Sequence, residues 1–158
     1  MTREKKQELT LRITQANKTE LIEILYEMVL AYVEDAENAH GQANRTEYRD
    51  AIRKTRGCIN ELLSSLNFEY ELATNFLQLY MYCNRELALA DVKNDPQHLE
   101  HVRRVVGKLQ TTYVELAKMD TSGPVMQNSQ TVYAGLTYGR GELTENMADQ
   151  GVNRGFRV

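Results

Sequence analysis

Proline is scarce in this chain. Its 158 residues hold only Pro96 and Pro124, and little other turn punctuation falls between Leu21 and Met119. Long stretches without breakers favour helices. Cysteine is as sparse: Cys58 and Cys83 stand far apart and form no CxxC. That leaves no disulfide framework and no thiolate metal motif. Inside helical patterns the two read as small buried hydrophobes of a reducing compartment, so a cytoplasmic location is expected. No apolar run approaches the roughly 20 residues that span a bilayer. The charged start Met1-Thr2-Arg3-Glu4-Lys5-Lys6 leads into no signal-peptide core. There is no strong basic block and the formal net charge is -3, so a nucleic-acid partner is not expected. Neither a GxxxxGK[ST] loop nor a Ser-His-Asp set is present, and no enzymatic chemistry is indicated.

What is present fits a soluble domain. Hydrophobic residues make up 42% and charged residues 26%, which argues against a disordered chain. The length permits a self-sufficient core. Asn17 with Glu20 three positions later has the spacing of a capping box. It opens a helix whose face runs Leu21, Ile24, Leu25, Met28 and Tyr32, then Ala36 and Ala39, and Gly41 lies near its end. Asn44 and Glu47 repeat the cap spacing before a stripe of Ala51, Ile52, Cys58, Ile59, Leu62, Leu63 and Leu66. Ser64-Ser65-Leu66-Asn67 predicts a tight turn. A third helix is predicted from about Glu69 to Val92. Asn94-Asp95-Pro96 then stops one helix and starts the next, with Asp95 as cap and Pro96 in the first helical position. That next helix carries Leu99, Val102, Val105, Val106, Leu109, Tyr113 and Leu116 on one side.

Helices of this length joined by short connections pack antiparallel. The expected fold is all-α: an antiparallel four-helix bundle with a short N-terminal helix or strap and an irregular C-terminal tail. Leu9, Leu11 and Ile13 suit the strap. The bundle domain is expected over residues 1–119. Residues 120–158 hold Gly123-Pro124, Gly135, Gly139, Gly141, Gly151 and Gly155, and read as a tail.

The third helix has too much apolar surface for a bundle member. At about 100° per residue, Leu72, Phe76, Leu79, Cys83, Leu87 and Ala90 share one arc, which Ala73, Leu77 and Tyr80 widen. Tyr82 and Leu89 fall together outside it, and Met81, Ala88 and Val92 lie on the far side. Gln78, Arg85 and Glu71 break this face among the apolar residues. Either the chain's own strap or tail covers this surface, or a partner helix lies in it. The two readings agree if the partner displaces the chain's own segment. Tyr80 reads as core packing, whereas Tyr82, off the core arc, is the better partner contact. Arg85 either grips a carbonyl or carboxylate of the partner or lays its stem on Met81 or Leu89 in solvent.

His98-Leu99-Glu100-His101 puts two imidazoles on one helical turn. A zinc site needs further ligands, and the cysteines sit on apolar stripes. A di-iron bundle needs inward Glu and Glu-x-x-His pairs, which the core faces lack. No metal and no cofactor are expected.

Four segments, in order, resemble the flagellar export chaperones of the FliS family. Leu21-Ile22-Glu23-Ile24-Leu25-Tyr26-Glu27 is similar to that family's LI-x-x-LY opening. Ser65-Leu66-Asn67-Phe68-Glu69-Tyr70 resembles its SLD-x-EY connection. The run from Leu79 to Asp91 resembles its LYDYM-x-RRL-x-x-AN signature, and Asn94-Asp95 with Leu99 to Tyr113 its last helix. The resemblance covers roughly residues 19–117. It implies a four-helix bundle with a short extra helix that binds the C-terminal segment of flagellin in the cytoplasm. Binding would prevent premature polymerisation and aid delivery to the cytoplasmic part of the flagellar export gate. Together with the surplus on the third helix it nominates Leu21, Leu25, Tyr26, Leu79, Tyr80, Tyr82, Arg85 and Leu89 as partner-binding residues. The chain departs from the pattern in four ways. Glu86 replaces the second arginine, Asp91 the final asparagine, and Tyr113 a tryptophan, and no tyrosine precedes Tyr26 to act as a lid. Tyr133, Leu136 and Tyr138 of the tail are the chain's own candidates to occupy the groove. The same apolar surplus also suits a helical adaptor or a self-associating scaffold, a homodimer included.

Overall fold

The computed structural model describes residues 1–119, which form five helices. These are α1 (Arg3–Gln15), α2 (Lys18–Gly41), α3 (Arg45–Ser64), α4 (Leu72–Lys93) and α5 (Gln97–Met119). No strand occurs among the described residues. Helix α2 packs on α3 and α5, and α4 packs on the same two, so the four close a ring with α2 and α4 on its diagonal. Helix α1 packs on α2 alone. The expectations placed on the tail, with Tyr133, Leu136 and Tyr138, lie outside the described residues.

Local chemistry sets the helix ends. The Asn17 side chain accepts from the Glu20 N–H at 2.8 Å, and the Glu20 carboxylate accepts from the Asn17 N–H at 3.0 Å. This reciprocal cap satisfies two N–H groups that the first turn leaves free. Asn44 caps α3 by accepting from the Glu47 N–H at 3.1 Å. The left-handed residue after α2 is Ala43, with φ 57°, and not the glycine that the pattern suggests. Helix α4 starts at Leu72, three residues later than the periodicity predicts. The Asn67 side chain accepts from the Glu69 N–H at 2.9 Å and holds the preceding residues in a turn. Asn94 leaves α4 in the left-handed conformation, which asparagine tolerates. Asp95 then accepts from the Gln97 N–H at 3.0 Å.

The N-terminal segment is a helix fixed to α2. Leu9 and Ala16 bury against Ile24, with Ile13, Leu21 and Met28 packed around them. The Arg12 guanidinium donates to the Glu27 carboxylate at 2.9 and 3.2 Å, and Lys5 pairs with the same group at 2.8 Å.

Inside the ring, apolar side chains of all four helices fill the core, and two tyrosines meet across its diagonal. Tyr26 of α2 and Tyr80 of α4 are both fully buried, and their hydroxyls lie 2.5 Å apart. Phe76 stacks on Tyr80 with ring centroids 6.3 Å apart, and Tyr113 meets Tyr26 edge-on at 5.4 Å. Near one end, the Tyr48 hydroxyl donates to the Ala90 carbonyl at 2.8 Å and ties α3 to the last turn of α4.

Two stability predictions follow from this core. Tyr26→Phe or Tyr80→Phe leaves the other hydroxyl buried without its partner, at a cost of about 1–3 kcal/mol each. Replacing both removes the unmatched group, so the double variant should lose clearly less than the sum. Urea denaturation of the three variants measures this, and strict additivity would contradict it. The second prediction concerns high pH. Burial pushes the Tyr26 and Tyr80 phenols well above their ordinary value and Tyr48 up to about 12. In the unfolded chain they ionise near about 10. Above that pH the native state holds more protons, so stability is full below about pH 9 and falls as pH rises, by about 1.4 kcal/mol per pH unit for each such group. The Tyr26→Phe/Tyr80→Phe double variant should show a shallower alkaline slope, and an unchanged slope would sink the assignment.

Candidate partner-binding surface

Seating Tyr80 in the core turns the opposite side of α4 to solvent. That side carries Met81, 54% exposed, and Val92, 81% exposed, with Arg85 and Gln78 exposed between them. Tyr82, Ala88 and Leu89 lie along its edges, partly buried. The Arg85 guanidinium sits 5.6 Å from the centroid of the Tyr82 ring, within cation–π range. Helix α1 does not reach this face, because it packs on the helix diagonal to α4. The N-terminal strap is therefore not its cover.

The nominated residues separate into three groups. Tyr82, Arg85 and Leu89 come together on the outward side of α4 at three- and four-residue spacing. Leu25 and Leu79 are partly buried against the core, and Leu21 packs in the cluster under α1. Tyr26 and Tyr80 have no exposed surface, which corrects their nomination as contacts: their hydroxyl pair occupies the bundle diagonal. Leu72 also departs from the core arc and is 59% exposed. It is the first residue of a helix that starts late, and Ala73 takes the buried place beside it. Phe68 and Tyr70, in the connection before it, are exposed as well. Met81 and Val92 were not nominated, although the 100° spacing already puts them on the far side.

The flank of this surface toward α3 is basic. Arg49, Arg53 and Arg56 line the groove between α3 and α4 with Asn60 and Asp91. Arg49 donates to Asp91 at 2.9 Å, and Arg53 pairs with Asp50.

The flank toward α5 holds a polar cluster. Glu86 is buried, and one of its carboxylate oxygens contacts His98 Nδ1 at 2.8 Å and His101 Nδ1 at 2.6 Å. Burial pushes the Glu86 carboxyl up, but the two imidazole hydrogen bonds outweigh it and hold the group below its ordinary value. An ionised carboxylate only accepts, so both Nδ1 atoms carry hydrogen. The two-histidine spacing was legible in the sequence. Its acidic partner was not, because Glu86 lies 12 residues upstream of His98 on another helix.

No described helix is long and apolar enough to cross a membrane. No curated protein matches the chain. The family described as "Flagellar protein FliS" matches residues 1–120, about three-quarters of the sequence, and this span takes in every helix of the bundle. A helical bundle is the architecture such a match implies, and the chain belongs to the FliS family of flagellar export chaperones.

Proposed function

We propose that this protein is a cytoplasmic chaperone that binds the C-terminal segment of flagellin, keeps it from polymerising and passes it to the cytoplasmic part of the flagellar export gate. The docking surface in this reading is the outward side of α4, with Met81, Tyr82, Arg85, Leu89 and Val92 as its contacts. The observation that supports it is the exposure of Met81 and Val92 on a helix whose opposite side already fills the core.

A subunit that assembles through apolar helix faces must have them covered until export. A comparable apolar surface does this, because burial stabilises by about 25 cal/mol per Å². Ordering a disordered segment opposes it, so the contact must be long. Five positions from Met81 to Val92 span three helical turns, long enough to receive an amphipathic helix. The basic α3 flank would fix the segment's direction if acidic side chains border its apolar stripe. No bond is made or broken in such a cycle.

The test is a calorimetric titration of the full chain with a flagellin C-terminal peptide, repeated with Leu89→Asp and Tyr82→Ala. Each variant should bind at least tenfold more weakly while its helicity and melting temperature hold. Unchanged affinity in both would remove α4 from the interface. No uptake of flagellin, with self-association that Leu89→Asp abolishes, would favour a scaffold.

A further inference from the structure

We propose that Glu86, His98 and His101 form a binding site for one divalent transition-metal ion of the zinc class, clasping α4 to α5. Three potential ligand atoms, one carboxylate oxygen and two imidazole nitrogens, lie within 4.8 Å of one another. They come from two neighbouring helices, and the two rings are nearly perpendicular, at 89°, with centroids 6.0 Å apart. Two imidazoles and one carboxylate are an established ligand set for zinc, with water in the fourth position. Two imidazoles match magnesium and calcium poorly, since both favour six or more ligands that are mostly oxygen.

The dimensions are compatible. In a tetrahedral site with bonds of about 2.0–2.2 Å, neighbouring ligand atoms stand about 3.3 Å apart. The present separations from Glu86 are 2.8 and 2.6 Å, so admitting an ion opens these two contacts by about 0.5 and 0.7 Å. Exposure grades across the site in the required sense. The Glu86 side chain is 10% exposed, His98 18% and His101 41%, so the His101 side is the path for the ion and for its water. A carboxylate that could become an outer partner stands nearby. Asp95 Oδ2 stands 3.9 Å from His98 Nε2, and the other Asp95 oxygen is anchored by the Gln97 N–H. Metal-bound histidine commonly turns its second nitrogen to such a carboxylate.

Binding requires each ring to move its hydrogen from Nδ1, where Glu86 now accepts it, to Nε2. This gives a readout that a purely structural cluster would not move. Zinc should be titrated into the full, chelator-treated chain in competition with a chromophoric chelator, with ¹⁵N NMR of the imidazoles followed in parallel. One ion per chain should bind, His98 and His101 should switch from the Nδ1–H to the Nε2–H form, and magnesium should produce neither effect. His98→Ala and His101→Ala should each weaken binding at least tenfold. The chain's third histidine supplies the control, and His40→Ala should change nothing. Should an alanine variant fail to fold, the tautomer switch in the unaltered chain decides. Absence of saturable binding, binding with both tautomers unchanged, or undiminished affinity in the two variants would overturn the site.

Discussion

The hydroxyl contact between Tyr26 and Tyr80 fixes how α4 is turned within the bundle. Helices α2 and α4 lie on the diagonal of the ring and meet through these side chains, not through a shared backbone interface. With the Tyr80 hydroxyl held at the centre and Phe76 stacked on its ring, α4 cannot rotate without leaving a polar group buried and unmatched. Its outward residues follow from that one orientation. Met81 comes next in the chain, about 100° round the helix, and Arg85, Leu89 and Val92 complete the row. The core contact and the exposed apolar row are thus two consequences of a single register.

The sides of α4 serve different purposes. Its inner side joins the aromatic cluster of Tyr26, Phe76, Tyr80 and Tyr113. Its flanks are polar, bound to α3 through Asp91 and to α5 through Glu86. The solvent side sets Met81 and Val92 among Arg85 and Gln78, and polar flanks keep that apolar stripe narrow. A narrow stripe with charged borders suits a single partner helix better than a broad self-contact, and it limits non-specific association of the free chaperone.

Much of the architecture was legible in the residues. Asn17 with Glu20, Asn44 with Glu47, and Asp95 before Pro96 are local signals whose hydrogen bonds form within three residues, so no knowledge of the fold is needed to read them. The rotation of α4 was less so. Apolar residues nearly encircle it, and periodicity places residues relative to one another without saying which arc faces inward. Leu72 therefore reads as core from its spacing, while Tyr26 is nominated as a partner contact through the resemblance of its segment. Tertiary pairing decides both: a late helix start exposes Leu72, and Tyr80 draws Tyr26 inside. The Glu86 cluster and the seat of α1 on α2 depend on contacts between separate helices, which sequence spacing does not encode.

The proposed use of α4 is tested by whether, and where, a flagellin C-terminal segment docks on the bundle. Methyl NMR of the full chain, titrated with that segment, reads this directly. The account predicts large shifts for Met81, Leu89 and Val92, with Leu9 and Ile24 beneath α1 unmoved. Large shifts around Leu9 and Ile24, with the α4 methyls unchanged at saturation, would contradict it.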